Sequence, residues 1–413
     1  MVPKGWEEKP LIKLLDKIID YRGQSVPKAD NGIPLITARN VRFGYLDFSN
    51  QEYVDEGEFE NWMSRGIPDV GDILFTTEAP LGMACRFPEK GRYAVAQRTV
   101  TLRTSNRLHS DFLLYFLLSE HGQRLIDIRS SGSTAKGIKS AELKKVKLLH
   151  PTCINEQQKI AKILSTWDKA ISTTERLIEN STQQKKALMQ QLLTGKKRLL
   201  DESGKRFESE WEEVTLGECI NHTGGTALEK HVKDSASHHF ISIGNYSVDG
   251  RYIDKGQRVE FNDKTKTKLL NKNDLVMVLN DKTKTGDIIG STILIDADNK
   301  YIYNQRSERI VCSEGIDILF FWFLLNSTPV RADVFGRSQG GTQIYVNFGA
   351  LKSMTLCLPS FKEQQKIATV LTNADKEIEL LKQQLADLQQ EKKALMQVLL
   401  TGKKRVLVDG EVA

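Results

Sequence analysis

Residues 156–200 read EQQKIAKILSTWDKAISTTERLIENSTQQKKALMQQLLTGKKRLL, and residues 363–407 read EQQKIATVLTNADKEIELLKQQLADLQQEKKALMQVLLTGKKRVL. The two segments lie 207 positions apart, align without a gap and share 25 of 45 residues. Chance does not produce this level of identity, so the chain contains an internal repeat that dominates its organisation.

Both repeated segments are predicted to be long helices. In the second copy, residues from Ile367 to Leu399 recur at alternating spacings of four and three, and Lys392 is the one polar member. The first copy keeps the same register from Ile160 to Leu192, with a more polar middle. This heptad pattern is typical of coiled-coil helices. Each helix is expected to span about 39 residues, or about 58 Å at ~1.5 Å per residue.

Local signals mark the ends of these helices and their pairing. Ser360 and Glu363 are spaced as a capping box, and Gly195 and Gly402 occupy positions typical of C-terminal caps. The charged linker 196–210 spans at most ~50 Å when fully extended. An antiparallel helix pair is therefore the simplest arrangement, with a variable domain at each end and approximate two-fold symmetry.

The remainder of the chain forms two domains that diverged more strongly. Some residues still match between these two domains: Trp6 matches Trp211, Gln97-Arg98 matches Gln305-Arg306, and Gly132 matches Gly340. Strand-like alternation and helical stretches near 110–128 and 316–334 predict mixed α/β (α+β) domains. The predicted organisation is a variable domain at 1–152, a helical region at 153–198, a variable domain at 199–360 and a helical region at 361–405.

Bulk composition restricts the function classes without choosing among them. Fifty-nine basic residues against 53 acidic ones give a net charge of +6, which alone does not establish nucleic-acid binding. The apolar run Ile318–Leu325 is far shorter than the ~20 residues of a membrane span, and the N-terminus lacks an apolar signal-peptide core. Five cysteines without a CxxC pair indicate free thiols, so we expect a cytoplasmic protein.

The identity between the two helical segments is unevenly distributed. EQQKIA, KKALMQ and LLTGKKR are identical, whereas 172–182 and 379–389 share no residue. A recent duplication is one explanation, and two binding sites for one repeated partner is the other. The second explanation predicts partner contacts at Gln157, Gln158, Lys186, Gln190, Gln364, Gln365, Lys393 and Gln397.

These motifs carry a family resemblance. The pattern EQQKIAxxL, a long helix and KKALMQxLLTGKxR after each variable domain resembles the specificity subunits of type I restriction-modification systems, as do YRGQSVPK, GIPLITARNV and GDILFTTEAPLG at 21–28, 32–41 and 71–82. The resemblance implies two target-recognition domains that read the halves of a split DNA sequence. It also implies two modification subunits that methylate adenine N6 with S-adenosylmethionine, and restriction subunits that use ATP and Mg to cleave DNA.

No catalytic motif is found in the sequence. The stretch GSTAKGIK at 132–139 has glycines at the spacing of a P-loop, but Ile138 stands where the lysine is required. His238-His239 has no third ligand at a suitable spacing. We therefore expect a non-catalytic subunit without a cofactor or metal of its own. The alternatives are a specificity subunit for a fused nuclease-methyltransferase, and a coiled-coil adaptor that does not bind DNA.

DNA contacts are predicted from residue chemistry, because base edges and phosphates are bound by Arg, Lys, amide and hydroxyl side chains on loops. For each single residue, a turn or a solvated charge is the competing interpretation. In the first domain the candidates are Tyr21, Arg22, Gln24, Thr37, Arg39, Arg42, Thr77, Arg98, Arg129, Ser131, Ser133, Thr134 and Lys136. In the second domain they are Thr223, Thr226, Asn245, Tyr246, Arg251, Lys282, Lys284, Arg306, Arg337, Gln339, Thr342 and Gln343.

Overall fold

The computed structural model describes residues 2–132 and 136–407 and divides into two compact units. Unit 1 contains the chain up to Glu175 together with the segment from Gln383 onward, and unit 2 contains Arg176–Lys382. Each long helix contributes one part to each unit, because the boundaries fall inside the helices. The predicted domain limits, which follow sequence divergence, remain a prediction.

Unit 1 is a mixed α/β structure. Among its described residues the strands are β1 Trp6–Pro10, β2 Leu15–Ile19, β3 Lys28–Ala29, β4 Ile33–Ile36, β5 Glu52–Val54, β6 Ile73–Thr76, β7 Ala84–Arg86, β8 Ala94–Val95, β9 Thr99–Thr104 and β10 Lys147–Pro151. The helices are α1 Phe59–Trp62, α2 Ser110–Leu118, α3 Glu120–Ile128, α4 Ser140–Leu143 and the first part of α5 Ile154–Leu192. The strands form sheets of order β2-β9-β6-β7, β3-β5-β4-β8 and β1-β10.

Unit 2 repeats this plan. Its described strands are β11 Glu212–Thr215, β12 Ile220–Gly224, β13 His238–Ile241, β14 Arg258–Val259, β15 Leu275–Val278, β16 Asn280–Asp281, β17 Thr292–Leu294, β18 Tyr301–Tyr303, β19 Ser307–Cys312, β20 Ile344–Tyr345 and β21 Thr355–Leu358. Its helices are the second part of α5, α6 Asp263–Lys266, α7 Ile318–Leu325, α8 Thr328–Gly336, α9 Phe348–Leu351 and the first part of α10 Phe361–Leu399. The sheet β12-β19-β15-β17 has the strand order of β2-β9-β6-β7, and the pair β11-β21 corresponds to β1-β10.

The predicted long helices are confirmed, since α5 and α10 each contain 39 residues. Their contacts run antiparallel within each unit. In unit 1, Lys392 forms an ion pair with Asp168. In unit 2, Lys185 pairs with Asp375 at 2.6 Å. Lys185 and Lys392, which occupy apolar positions of the heptad pattern, thus each pair with an aspartate on the opposite helix. This ion pair neutralises the charge at that position.

Each unit contains an ion pair between a buried glutamate near the start of one long helix and an arginine that follows the other long helix. In unit 2 the guanidinium of Arg198 donates two hydrogen bonds to Glu363, at 2.6 and 2.7 Å, and the Glu363 side chain is fully buried. In unit 1 Arg405 binds Glu156 with the same two distances. The prediction that Glu363 caps its helix with Ser360 is therefore wrong, because its carboxylate binds an arginine of the segment that follows α5.

The glycine caps are confirmed, since Gly195 and Gly402 have φ of +70° and +66°. Each also leaves room for the tryptophan that begins a domain. A Cβ on Gly195 would lie 3.4 Å from the ring of Trp211, and one on Gly402 would lie 3.2 Å from the ring of Trp6. The arginine, glycine and tryptophan of the repeat therefore pack together in both units.

The apolar run ILFFWFLL forms α7 and is part of the hydrophobic core of unit 2. The carboxylate of Asp317 caps this helix by accepting a hydrogen bond from the N–H of Phe320 at 2.8 Å. Within the described residues, no single helix has the length and apolarity to cross a membrane. The bent pair α7 and α8 reaches those limits only when the two helices are taken together.

Candidate nucleic-acid interface

In unit 1, three segments distant in sequence meet at the end of the central sheet. The N–H of Thr77 donates to the carbonyl of Arg98 at 3.0 Å, and the N–H of Ile138 donates to the carbonyl of Thr77 at 2.9 Å. Ser131 and Gly137 exchange hydrogen bonds of 2.8 and 2.9 Å that close a loop between them. We call residues 77–80, 97–98, 131–132 and 136–138 junction 1.

Unit 2 contains the same arrangement at corresponding positions. The N–H of Leu279 donates to the carbonyl of Arg306 at 2.9 Å, and the N–H of Val346 donates to the carbonyl of Leu279 at 2.9 Å. Gln339 and Tyr345 close the third loop with hydrogen bonds of 2.8 and 2.9 Å. Residues 279–284, 305–306 and 339–346 form junction 2. The weak sequence similarity between the two domains thus corresponds to the same backbone arrangement in both units.

Junction 1 presents predicted contact residues whose charges are paired. The guanidinium of Arg98 lies 3.0 Å from the carboxylate of Glu78 in an exposed ion pair. Arg22 binds Asp20 at 2.7 Å and donates to the carbonyl of Ile138 at 3.0 Å, which brings the first predicted loop to the junction. Lys136 is exposed and pairs with Asp127.

Hydroxyl and amide candidates of the first domain lie in three settings. Ser131 belongs to junction 1 and is exposed. Ser133 and Thr134 lie outside the described residues. Gln24 is exposed, and no hydrogen bond joins its side chain to another described residue.

A small cavity of about 200 Å³ adjoins junction 1. Thr37, Arg39 and Arg98 line it, together with Gln97 and Lys28, which the sequence reasoning did not select. Arg39 is exposed, and its guanidinium has no partner among the described residues. The hydroxyl of Thr37 donates to the buried side chain of Asn40 at 2.7 Å. The cavity therefore combines two exposed arginines with a fixed hydroxyl.

The lysine loop of junction 2 is ordered by the buried carboxylate of Asp281. This carboxylate accepts hydrogen bonds from the N–H and hydroxyl of Thr283, both at 2.8 Å, and from the N–H of Ile288 at 2.9 Å. Burial alone would raise the pKa of Asp281, but these hydrogen bonds lower it overall. The exposed Lys282 and Lys284 thus project from a loop whose backbone is fixed.

The third loop of junction 2 lies beside this lysine loop, because β16 pairs antiparallel with β20. Gln339, Thr342 and Gln343 are exposed there, and the Gln339 side chain accepts a hydrogen bond from the Tyr345 hydroxyl at 3.3 Å. The structure thus brings the lysine loop and the amide-rich loop together, although about 55 residues separate them in sequence.

The candidates Thr223 and Thr226 are exposed at the edge of the same junction. The carbonyl of Thr226 accepts a hydrogen bond from the N–H of Gln305 at 2.9 Å. Between them, Gly225 lies so close to the turn that a Cβ there would be 2.0 Å from the carbonyl oxygen of Asn304. This contact attaches the loop 223–226 to the turn that carries Arg306.

Four predicted contact residues are corrected because their side chains are buried. Tyr21 is fully buried against Trp62, and burial raises the pKa of its hydroxyl to about 12. Thr77 donates its hydroxyl to the carbonyl of Arg98. Asn245 accepts hydrogen bonds from Ser242 and donates to the carbonyl of Ile253 at 2.8 Å, and Tyr246 donates to the hydroxyl of Ser307 at 2.9 Å. Such satisfied buried groups stabilise loops and do not reach a base.

Four predicted arginines instead neutralise carboxylates of their own unit. Arg42 pairs with Asp47 at 3.1 Å, Arg129 with Glu142 at 3.4 Å and Arg337 with Asp333 at 2.9 Å. Arg251 pairs with Asp375 of helix α10 at 3.0 Å. These pairs leave Arg306, Lys282 and Lys284 as the cationic candidates of unit 2 that form no ion pair within the described residues.

Two of the predicted partner-binding residues are also corrected. Gln157 is fully buried, accepts a hydrogen bond from the N–H of His109 at 2.7 Å and donates to two carbonyls. Gln364 accepts from the N–H of Asp317 at 2.9 Å in the corresponding place. These amides connect each long helix to the domain that precedes it. Gln158 and Gln365, one position later, are exposed.

The other predicted partner residues line two equivalent grooves. Groove 1, with a volume of about 730 Å³, is lined in unit 1 by Asp168, Ile171, Lys392, Lys393, Met396, Gln397 and Thr401, among others. Groove 2, of about 630 Å³, is lined in unit 2 by Asp375, Ile378, Lys185, Lys186, Met189, Gln190 and Thr194. These residues correspond at the offset of 207. In groove 1, Lys393 and Gln397 also bind Glu120, at 2.6 and 3.1 Å.

The grooves include residues that sequence reasoning missed. Phe43 lines groove 1 and is 50% exposed, and Val248 lines groove 2 and is 63% exposed. Both follow a buried asparagine of the repeat by three positions, Asn40 and Asn245 respectively. Because Asn40 and Asn245 occupy equivalent turns in the two domains, their positions in the sequence could have been used to predict that Phe43 and Val248 correspond. Each groove is thus lined in part by an exposed apolar residue of its own variable domain.

The described part of the chain contains no group of three or more His, Cys, Asp or Glu residues placed to hold a metal ion. The five cysteines are free thiols, as predicted. Burial raises the pKa of Cys85 to about 12, so this thiol is not activated as a nucleophile.

Comparisons with known proteins agree with this geometry. The family model described as type I restriction modification DNA specificity domain matches residues 3–181 and again 208–390. The type I restriction enzyme MjaVIII specificity subunit of Methanocaldococcus jannaschii is 26% identical over 98% of this chain and 94% of its own length. The putative MjaX specificity subunit of the same organism is 25% identical over 98% and 95% of the two chains.

Solved structures share the fold. The type I restriction-modification S subunit from M. genitalium superposes with a TM-score of 0.57 at 16% identity, over 96% of both chains. The HsdS subunit from Thermoanaerobacter tengcongensis gives a TM-score of 0.52 at 14% identity, over 98% of both chains. The two family matches together cover most of the sequence, and each contains one junction. The chain therefore belongs to the family of type I restriction modification DNA specificity domains.

Proposed function

We propose that this chain reads a split DNA target for a type I restriction-modification complex, with one half-site bound at each junction. The observation that carries the proposal is the repetition of one backbone arrangement with unlike side chains. Junction 1 presents a paired arginine, whereas junction 2 presents two lysines and an arginine without ion pairs. Equivalent scaffolds with different reading surfaces are suited to two different half-sites.

Each junction combines the two kinds of group that DNA recognition requires. Exposed lysines contribute phosphate contacts, which supply affinity and fix the register of the protein on DNA. Arginine and glutamine side chains donate and accept hydrogen bonds at base edges in the major groove. Since the loops are attached to each other through backbone hydrogen bonds, these groups are positioned before DNA binds.

The two grooves are the proposed docking sites for two modification subunits. Their identical exposed residues are Lys186 with Lys393 and Gln190 with Gln397. Lys393 and Gln397 bind Glu120, whereas no such contact joins Lys186 or Gln190 to another described residue, so a shared packing role does not explain the identity. One partner that binds twice explains it. In the proposal each modification subunit carries S-adenosylmethionine and methylates adenine N6, and the restriction subunits join through the complex. The proposal equally accommodates a partner that fuses the nuclease and methyltransferase.

The proposal is tested by titrating the complex of this chain and its modification partner on duplex DNA at several salt concentrations. Six or more phosphate contacts would lower affinity by ~10³-fold or more between 50 and 200 mM salt. Binding that does not depend on salt, or a complex with one modification subunit per chain, would favour a coiled-coil adaptor or a different assembly.

A further inference from the structure

Arg306 shares the lack of an ion pair within the described residues with the two lysines of junction 2, but it alone among these three candidates has a positive φ. It lies in the turn between β18 and β19 and is exposed, and its guanidinium forms no hydrogen bond or ion pair within residues 2–132 and 136–407. The charge that faces it is the carboxylate of Glu229. One oxygen of that carboxylate, Oε1, accepts hydrogen bonds from the side chains of Asn304 and Gln305, both at 2.8 Å, and no ion pair joins the carboxylate to Arg306.

The backbone of Arg306 adopts an unfavourable conformation. Its φ is +68°, in the left-handed region, where the Cβ of a residue other than glycine crowds its own carbonyl. Glycine would fit this position without that penalty. The strain is therefore maintained by surrounding contacts, and unfavourable conformations of this kind concentrate at functional sites.

The contacts on both sides of the turn explain how the strained conformation persists. The carbonyl of Arg306 accepts a hydrogen bond from Leu279 at 2.9 Å, and the N–H of Gln305 donates to Thr226 at 2.9 Å. The side chain of Asn304 accepts from the N–H of Leu228 at 2.9 Å. Contacts from Thr226, Leu228 and Leu279 thus fix a turn that carries an exposed cation without an ion pair among the described residues.

The equivalent residue in unit 1 provides the contrast. Arg98 forms an ion pair with Glu78 at 3.0 Å, and its φ is not positive. The position corresponding to Glu78 in unit 2 is Asn280, which carries no charge. Arg306 is therefore the arginine of the repeated Gln-Arg pair that has neither an ion pair within the described residues nor a relaxed backbone.

We infer that Arg306 is a specificity-determining residue that reads a guanine in the second half-site. This inference rests on the proposed function. Arginine donates two parallel hydrogen bonds to O6 and N7 of guanine, which is the commonest specific contact in the major groove. Lys282 and Lys284, on the adjacent ordered loop, supply phosphate contacts that place the guanidinium over the base edge.

The test maps methylated adenines in cells that express the full chain with its modification partner. Arg306→Lys keeps the positive charge but lacks the planar guanidinium that donates two parallel hydrogen bonds. The preference for guanine at one position of the second half-site should therefore fall by ~10-fold or more, while the first half of the motif is unchanged. Arg306→Gly should relax the same position and leave the unfolding midpoint equal or higher.

Asn299→Gly is the matched control, since Asn299 also has a positive φ, of +56°, but lies outside junction 2. It should change neither the motif nor the half-site preference. The inference is overturned if Arg306→Lys retains the wild-type motif, or if Arg306→Gly weakens binding to all sequences equally, because both results identify a phosphate contact. A wild-type chain without a split motif would instead contradict the proposed function itself.

Discussion

Replacing Arg198 by alanine should destabilise unit 2 more than any surface substitution in the same motif. The change removes both hydrogen bonds to Glu363 and leaves a carboxylate whose side chain is completely buried without a counter-charge. Removal of one member of a buried ion pair costs about 3–5 kcal/mol, which lowers the equilibrium constant for folding by ~10²- to 10³-fold or more. The reason is that the remaining charge has lost both water and its partner.

Urea unfolding followed by tryptophan fluorescence measures this effect, since Trp211 lies 5.9 Å from the Arg198 guanidinium. Lys197→Ala, at the exposed neighbouring position, is the control and should stay within about 0.5 kcal/mol of wild type. The double variant Arg198→Met with Glu363→Leu should recover most of the loss, because an apolar pair needs no counter-charge.

Unit 1 provides an internal comparison. Arg405 binds Glu156 with the same geometry, but its side chain is 42% exposed, whereas that of Arg198 is 14% exposed. Arg405→Ala should therefore cost less than Arg198→Ala. The reasoning is refuted if Arg198→Ala costs less than about 1 kcal/mol, or if it is no worse than Lys197→Ala.

Three further outcomes follow from the corrected roles. Asn245→Ala should cost about 1–3 kcal/mol in thermal unfolding and leave the DNA motif unchanged, because this amide is buried and hydrogen-bonded within its loop. Asp168→Lys should destabilise unit 1, and adding Lys392→Asp should restore at least ~0.5 kcal/mol, measured as the coupling in a double-mutant cycle. Gln190→Trp and Gln397→Trp should each reduce the bound modification subunits from two to one by light scattering, with no loss of folding, because each fills one groove.

Periodic features of the fold were predictable from sequence because they depend on short spacings. The alternation of four and three residues identified both 39-residue helices. Helices were also found at the predicted stretches near 110–128 and 316–334. The glycine caps followed from a local rule about left-handed residues.

Features that depend on contacts between distant segments were not predictable in the same way. The capping-box spacing of Ser360 and Glu363 is a local signal, but an arginine 165 residues away binds that glutamate. Polar residues such as Tyr21 and Asn245 have the chemistry of DNA contacts, and only the tertiary structure shows that their groups are already satisfied. Residue type identifies what a side chain can do, whereas burial decides whether it is free to do it.

The identity between the two helical segments also has two sources that sequence does not separate. Part of it belongs to packing, since Glu156, Gln157 and Arg198 make buried contacts that each unit requires. The remainder lies at exposed positions such as Gln158 and Lys186, where packing does not explain it. The proposed partner surface is therefore smaller than the repeated motif.

The most direct test of the account maps methylated adenines genome-wide in cells that express this chain with its partners. We predict one split motif, with two unlike halves and a fixed spacer. Replacing residues 1–152 by the corresponding domain of another family member should change one half and leave the other intact. A continuous motif, or a replacement that alters both halves, would contradict the claim that each junction reads its own half-site.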